Sequence, residues 1–132
     1  MTYLLDTNVL SVALRDANSG PGVRLQQHPR SELIVPSIVR AELEFGALKG
    51  GSKSRIQSVR EFLTEFPTLP FDDACVTSYS IARNELDRTG QRIGALDLMI
   101  ASIALAHSLI LVTHNTSEFA RVPRLQFEDW QI

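Results

Sequence analysis

The stretch Leu96–Glu118, LDLMIASIALAHSLILVTHNTSE, is the most apolar part of the chain and decides how the rest is read. It carries a carboxylate, Asp97, at its front edge and ends in a polar group of Thr113, Asn115 and Glu118. An ionised carboxylate set in apolar surroundings is costly unless it is neutralised, paired or bound to a cation. The remainder of the fold must therefore bring partners to Asp97. Ala95 to His107 is apolar on nearly every face, the pattern of a helix at the centre of a fold. Leu109 to Thr113 reads as an unbroken apolar strand. The run Leu98–Val112 is too short to span a membrane and is interrupted by Ser102, His107 and Ser108.

Working outward, residues 2–5 (TYLL) predict a short buried strand. Asp6-Thr7-Asn8 ends it, and VLSVAL starts a helix. A Gly/Pro-containing connection precedes a short helical piece near Val23 to His28. Leu33-Ile34-Val35 is a second strand, stopped by Pro36. Ser37 reads as the N-cap of a helix from Ile38 to Lys49, which Gly50-Gly51 terminates. On that helix Ile38, Ala41, Phe45 and Leu48 form one apolar stripe, with Glu42 beside it and Arg40 and Glu44 toward solvent. Val39 and Leu43 lie off the stripe and suit a surface that meets another protein. Further helices are expected at Lys53–Phe66 and from Asp72 or Asp73 to Thr89. Short strands are expected at Thr68–Phe71, on a sheet edge, and at Leu125–Phe127. Continuous apolar strands separated by helices indicate an α/β fold: three-layered, Rossmann-like, with a mostly parallel sheet of about five strands. No glycine-rich fingerprint follows the first strand, so dinucleotide binding is not expected.

The composition sets bounds. With 132 residues, 44% hydrophobic and 21% charged, the chain is read as one globular domain, residues 1–132. The single cysteine, Cys75, excludes an internal disulfide framework, and the first residues lack a basic leader pattern. Both features suggest a cytoplasmic protein with no membrane partner. A net charge of −2 gives no global argument for nucleic acid. Lys49, Lys53, Arg55 and Arg60, and then Arg83, Arg88 and Arg92, read first as solvated helix faces.

In an open α/β sheet, ligands bind at the carboxyl ends of the strands. Those ends carry Asp6, Thr7 and Asn8 after the first strand, then Ser37 and Glu42 after the second. Thr113, Asn115 and Glu118 follow the fourth, and Asp97 at the head of the central helix can face the same crevice. Four converging carboxylates repel one another unless protonated or bridged by cations. Oxygen-only donors select hard ions such as Mg²⁺ or Mn²⁺, the layout of a metal-assisted phosphodiester hydrolase. Each residue also has a plainer reading. Asp6 caps the first helix, Glu42 forms an ion pair, Asp97 meets the helix dipole, Thr113 and Asn115 close a turn, and Glu118 pairs with Arg121. Cys75 lies on an apolar helix face and reads as core. His28, His107 and His114 lack zinc-ligand spacing. Trp130 reads as packing.

The segments YLLDTNVLS, VPSIVRAELEFGALKG and IGALDLMIASIALAHSLILVTHNTSEFARVPRLQFEDW resemble the PIN-domain nucleases, most closely VapC-type toxins. The resemblance covers essentially the whole chain, with DTN, AELxxG and GxxDxxIA in order. It implies a Mg²⁺-dependent ribonuclease with an acidic quartet. Asp6, Glu42 and Asp97 match the first three acids, Asp6 and Asp97 serving as metal ligands. Many relatives carry an aspartate where Asn115 stands; the NxxEF pattern places an acid at Glu118 instead. Thr7, Asn8, Ser37, Thr113 and Asn115 would orient the acids, and Lys49, Lys53, Arg55, Arg83 and Arg88 would contact RNA. The resemblance further implies a homodimer, a VapB-like antitoxin, operator DNA reached only through that antitoxin, and initiator tRNA as substrate. Two rival readings are an aspartyl-nucleophile phosphatase and a non-catalytic binding module.

Overall fold

The structure, a computed structural model, describes residues 1–131. Five short strands form one parallel sheet: β1 (Tyr3–Leu5), β2 (Leu33–Pro36), β3 (Thr68–Leu69), β4 (Ile110–Val112) and β5 (Phe127–Glu128), in the order β3-β2-β1-β4-β5. β1 is central because all three of its side chains are apolar and buried, so both faces must be covered. Its register is fixed on both sides, Tyr3 opposite Leu33 and Ile110, and Leu5 opposite Val112. The chain leaves β1 toward β2 on one side and later returns to β4 on the other. This reversal creates a crevice at the carboxyl ends of β1 and β4.

Helix α1 (Thr7–Arg15) begins directly after β1, with the Asp6 carboxylate accepting from the Thr7 N–H as its cap. Helix α2 (Gly20–Gln26) starts earlier than the Val23 expected, because Ser19 caps the Gly22 N–H and Pro21 sits in the first turn. Helix α3 (Ser37–Gly50) follows β2 and ends at Gly51, whose φ of 76° suits the left-handed cap position. Helix α4 (Lys53–Leu63) stops before Phe66, and a 3₁₀ turn (Asp73–Cys75) capped by Asp72 leads into α5 (Val76–Arg88). Helix α6 (Ala95–Ala106) is the apolar central helix, with Leu98, Ile100, Ala101, Ser102, Ile103 and Ala104 all buried. The short α7 (Thr116–Phe119) follows β4. β5 begins two residues later than Leu125. Among the described residues, no helix is long and apolar enough to cross a membrane.

Three expectations about the second crossover need correction. Ser37 is not the cap of α3: it is the helix's first residue, is exposed, and follows Pro36, which makes no side-chain capping bond. The buried face of α3 is Val39, Leu43 and Ala47, while Phe45 (64% exposed) and Leu48 (53%) face solvent. Apolar residues lie on two sides of this helix, so spacing alone does not select the inner one. Arg40, expected in solvent, is half-buried; its guanidinium donates to the Leu63 and Phe66 carbonyls at 2.8 and 2.5 Å. It thereby caps the carboxyl end of α4, where carbonyls lack helical partners.

Candidate active site

The reversal in strand order sets Asp6, at the end of β1, beside Thr113, at the end of β4. The Asp6 N–H donates to the Val112 carbonyl at 3.0 Å, holding the two strand ends together. The Asp6 side chain is then fixed by two donors: the Thr113 hydroxyl to Oδ2 at 2.8 Å and the Thr7 N–H to Oδ1 at 2.8 Å. Burial raises the Asp6 pKa, and the two hydrogen bonds oppose that rise. Thr7 has a second role, because its hydroxyl donates to Glu42 Oε1 at 2.9 Å and ties α1 to α3. Glu42 is half-buried at the boundary of α3, one residue before the buried Leu43, and the Thr7 bond holds it toward the crevice.

Asp97, in the first turn of α6, is pushed up from the usual aspartate value to about 6. Burial is the largest cause, followed by the negative charges of Asp6, Glu118 and Glu42. Glu118 is held differently. It accepts from the Gly94 N–H at 2.9 Å through Oε1 and from the Asn115 side-chain amide at 2.7 Å through Oε2, bonds that lower its pKa. The Asn115 N–H in turn donates to the Thr113 hydroxyl at 3.0 Å. A methyl group at Gly94 would stand 3.6 Å from Asp97 Oδ2 and 3.9 Å from Glu118 Oε1, so the backbone here lies against both carboxylates.

The fold thus gathers Asp6, Glu42, Asp97 and Glu118, with Thr7, Thr113 and Asn115 bonded to three of them. Among the described residues none of the four acids forms an ion pair with a lysine or arginine. Two residues expected to orient the acids do not do so. Ser37 is exposed at the helix start, and the Asn8 side-chain oxygen accepts from the Gln131 amide instead. The Gly94 N–H was not foreseen. Its only signal in the sequence is a glycine at the cap of an apolar helix whose first turn carries an acid. Of the basic residues, Lys49, Lys53 and Arg55 are exposed, while Arg83 pairs with Asp87 and Arg88 with Glu85.

Residues 3–125 match the PIN domain family. The chain belongs to the PIN-domain family. Relatives resemble this PIN domain along nearly their whole length. "Ribonuclease VapC2" of Rickettsia felis is 37% identical, and "tRNA(fMet)-specific endonuclease VapC" of Shigella flexneri 34% identical, each covering 98% of both chains. Among solved structures, VapBC2 from Rickettsia felis bound to a promoter DNA fragment superposes with a TM-score of 0.89 at 35% identity, covering 98% of this chain and 99% of the other. VapBC from Salmonella typhimurium, also bound to DNA, gives 0.87 at 30% identity, covering 98% of each chain.

The donor set of this PIN domain suits a hard divalent cation. It offers four carboxylates and raises the Asp97 pKa partly through the accumulated negative charge. Arg121 is near Glu118, but among the described residues no lysine or arginine forms an ion pair with any of the four. A neutralising ion would relieve the repulsion that the protein leaves in place.

Proposed function

We propose that the chain is a divalent-metal-dependent endoribonuclease, the toxin of a toxin–antitoxin pair, acting in the cytoplasm as one domain over residues 1–132. The observation that carries this reading is the convergence of four carboxylates, none in an ion pair with lysine or arginine among the described residues, at the strand-order reversal of a PIN domain. Asp6 and Asp97 would hold Mg²⁺ or Mn²⁺, with Glu42 and Glu118 completing the acidic ring. When bound, the ion supplies positive charge that activates water and stabilises an in-line transition state at phosphorus.

The remaining chemistry belongs to the side chains. Thr113 and the Thr7 N–H hold both oxygens of Asp6 in place, so that carboxylate needs no reorganisation during the reaction. The Thr7 hydroxyl fixes Glu42, which is positioned to orient the attacking water. Asn115 and Gly94 hold Glu118 ionised. Lys49 follows Glu42 by two helical turns on the same face of α3, placing a cation roughly 10 Å along it for an RNA phosphate. Lys53 and Arg55 extend that basic edge. Arg83 and Arg88 are weaker candidates because acids already pair with them.

The likeness to VapC ribonucleases supports RNA as substrate, and the relative named for tRNA(fMet) supports initiator tRNA. The solved VapBC complexes on DNA support a VapB-like antitoxin and operator DNA bound through it, and the toxin would act as a homodimer. The aspartyl-nucleophile phosphatase is not favoured, since it wants an acid two residues after Asp6 and Asn8 stands there. A non-catalytic module is not favoured either, since the acidic ring is complete. The test is mapping of RNA 5′ ends after induction of the parent and of Asp97→Asn. A new end at one position of a tRNA, present only with the parent, is expected. Identical end profiles from the two proteins would overturn the assignment.

A further inference from the structure

A second group of ligating side chains lies away from the acidic ring. Cys75, in the 3₁₀ turn before α5, is fully buried. Its thiol stands 3.7 Å from Asp72 Oδ1 and 4.0 Å from the Pro70 carbonyl. His107, the cap residue at the carboxyl end of α6, comes to the same place. One ligand atom from each of Asp72, Cys75 and His107 lies within 4.8 Å of the others. An independent observation concerns the imidazole: His107 Nε2 is shielded from solvent and has no hydrogen-bond partner. A buried imidazole nitrogen without a partner is costly, and a metal ion is one group that would satisfy it.

We propose that Asp72, Cys75 and His107 form a cation site for a borderline-soft divalent ion of the Zn²⁺ type, distinct from the acidic ring. The donor set is mixed: sulfur, nitrogen and oxygen, which selects Zn²⁺ over Mg²⁺. Zinc–sulfur bonds of about 2.3 Å and zinc–nitrogen or zinc–oxygen bonds of about 2.0–2.2 Å put tetrahedral ligand atoms about 3.5 Å apart. The Cys75–Asp72 separation is already close to that value, and the group, whose ligand atoms lie within 4.8 Å of one another, would draw together by about 1 Å on binding. Asp72 is exposed and offers the ion a way in, with water as fourth ligand. On binding, a sulfur–metal bond forms and the thiol proton leaves to solvent. The site lies ten residues after Asp97 on α6, about 15 Å along that helix. Spacing in the sequence does not reveal it, because the ligands come from two elements that only the fold brings together.

The test uses the full chain, stripped of metal and kept reduced, in excess Mg²⁺ so that the acidic ring is engaged. Co²⁺ is added and thiolate-to-cobalt absorption is followed; Cys75 is the sole cysteine, so the band reports this site. One Co²⁺ per chain, displaced by Zn²⁺, is expected. Asp97→Asn should leave the band unchanged, whereas His107→Gln and Asp72→Asn should each weaken binding at least about tenfold. Circular dichroism of the two ligand variants verifies folding, since neither change removes core volume. No thiolate band in the parent, or a band of equal affinity in folded His107→Gln, would overturn the proposal. A saturating stoichiometry of one Co²⁺ per two chains, with intensity per chain that changes on dilution, would also overturn it by placing the ion between two chains. Loss of RNA cleavage in Asp97→Asn, with the cobalt band retained, keeps this inference separate from the ribonuclease reading.

Discussion

Asp97 is costly to the fold. Its pKa rises from the usual aspartate value of 3.8 to about 6, chiefly through burial and then through Asp6, Glu118 and Glu42. Between about pH 4 and pH 6 the folded chain therefore holds a proton at Asp97 that the unfolded chain has lost. With more protons bound to the native state, stability must fall as pH rises through this window, and Asp6, shifted in the same direction, adds to the fall. In chelator, denaturation is expected to show a loss of about 1–2 kcal/mol from Asp97 between pH 4 and pH 7, after allowance for solvent screening. Asp97→Asn should remove that slope and melt higher than the parent at pH 7, while losing at least about a hundredfold in RNA cleavage. A variant that is both inactive and more stable would separate a functional charge from a structural one. Asn115 acts at one remove, through Glu118. Asn115→Ala should lower cleavage about tenfold with unchanged melting, and Asn115→Asp, which cannot donate to Glu118, should not restore it. Both are read from initial rates on one RNA.

At the scale of elements, α6 and α3 show what a sequence does and does not reveal. For α6 the reading was available because nearly every position is apolar: only a central, fully covered helix fits, and the acid in its first turn must face a crevice. For α3 the same rule failed. Ala41, Phe45 and Leu48 repeat at helical spacing as well as Val39, Leu43 and Ala47 do, and only packing against the sheet selects the second set. The exposed set remains as an apolar strip near Glu42. The place of Arg40 is hidden in the sequence for a related reason. Its partners are the carbonyls of Leu63 and Phe66, and a backbone acceptor more than twenty residues away leaves no mark in composition. Arg40→Met keeps the aliphatic stem but removes both donors. It should cost about 2–4 kcal/mol in urea denaturation, because two carbonyls at the end of α4 lose charge-assisted bonds. Activity per folded molecule should stay at the parental level, since Arg40 touches none of the four acids. The acids themselves were legible one by one; their bracing by Gly94 and Thr7 depended on distances across three elements.

The whole molecule is built around an electrostatic conflict that its topology creates. The order β3-β2-β1-β4-β5 turns the chain back at β1, so the first strand, both crossovers and the last βα turn all deliver acids to one end of the sheet. A fold that concentrates negative charge without pairing those acids to lysine or arginine should be stabilised by any hard divalent ion that binds only its native state. The gain follows RT ln(1 + [ion]/Kd), about 2.7 kcal/mol at a concentration one hundred times Kd. For a chain of this size each kcal/mol raises Tm by roughly 3–5 °C. Melting in Mg²⁺ or Mn²⁺ is therefore expected to exceed melting in chelator, with sodium chloride matched for ionic strength so that general screening is equal. The rise should be small at pH 5, where protons occupy Asp97, and should grow toward pH 7 as the carboxylate ionises. Asp97→Asn should melt higher without the ion and gain much less from it. Equal melting of the parent in Mg²⁺ and in matched sodium chloride at pH 7 would remove the acidic ring as a metal site.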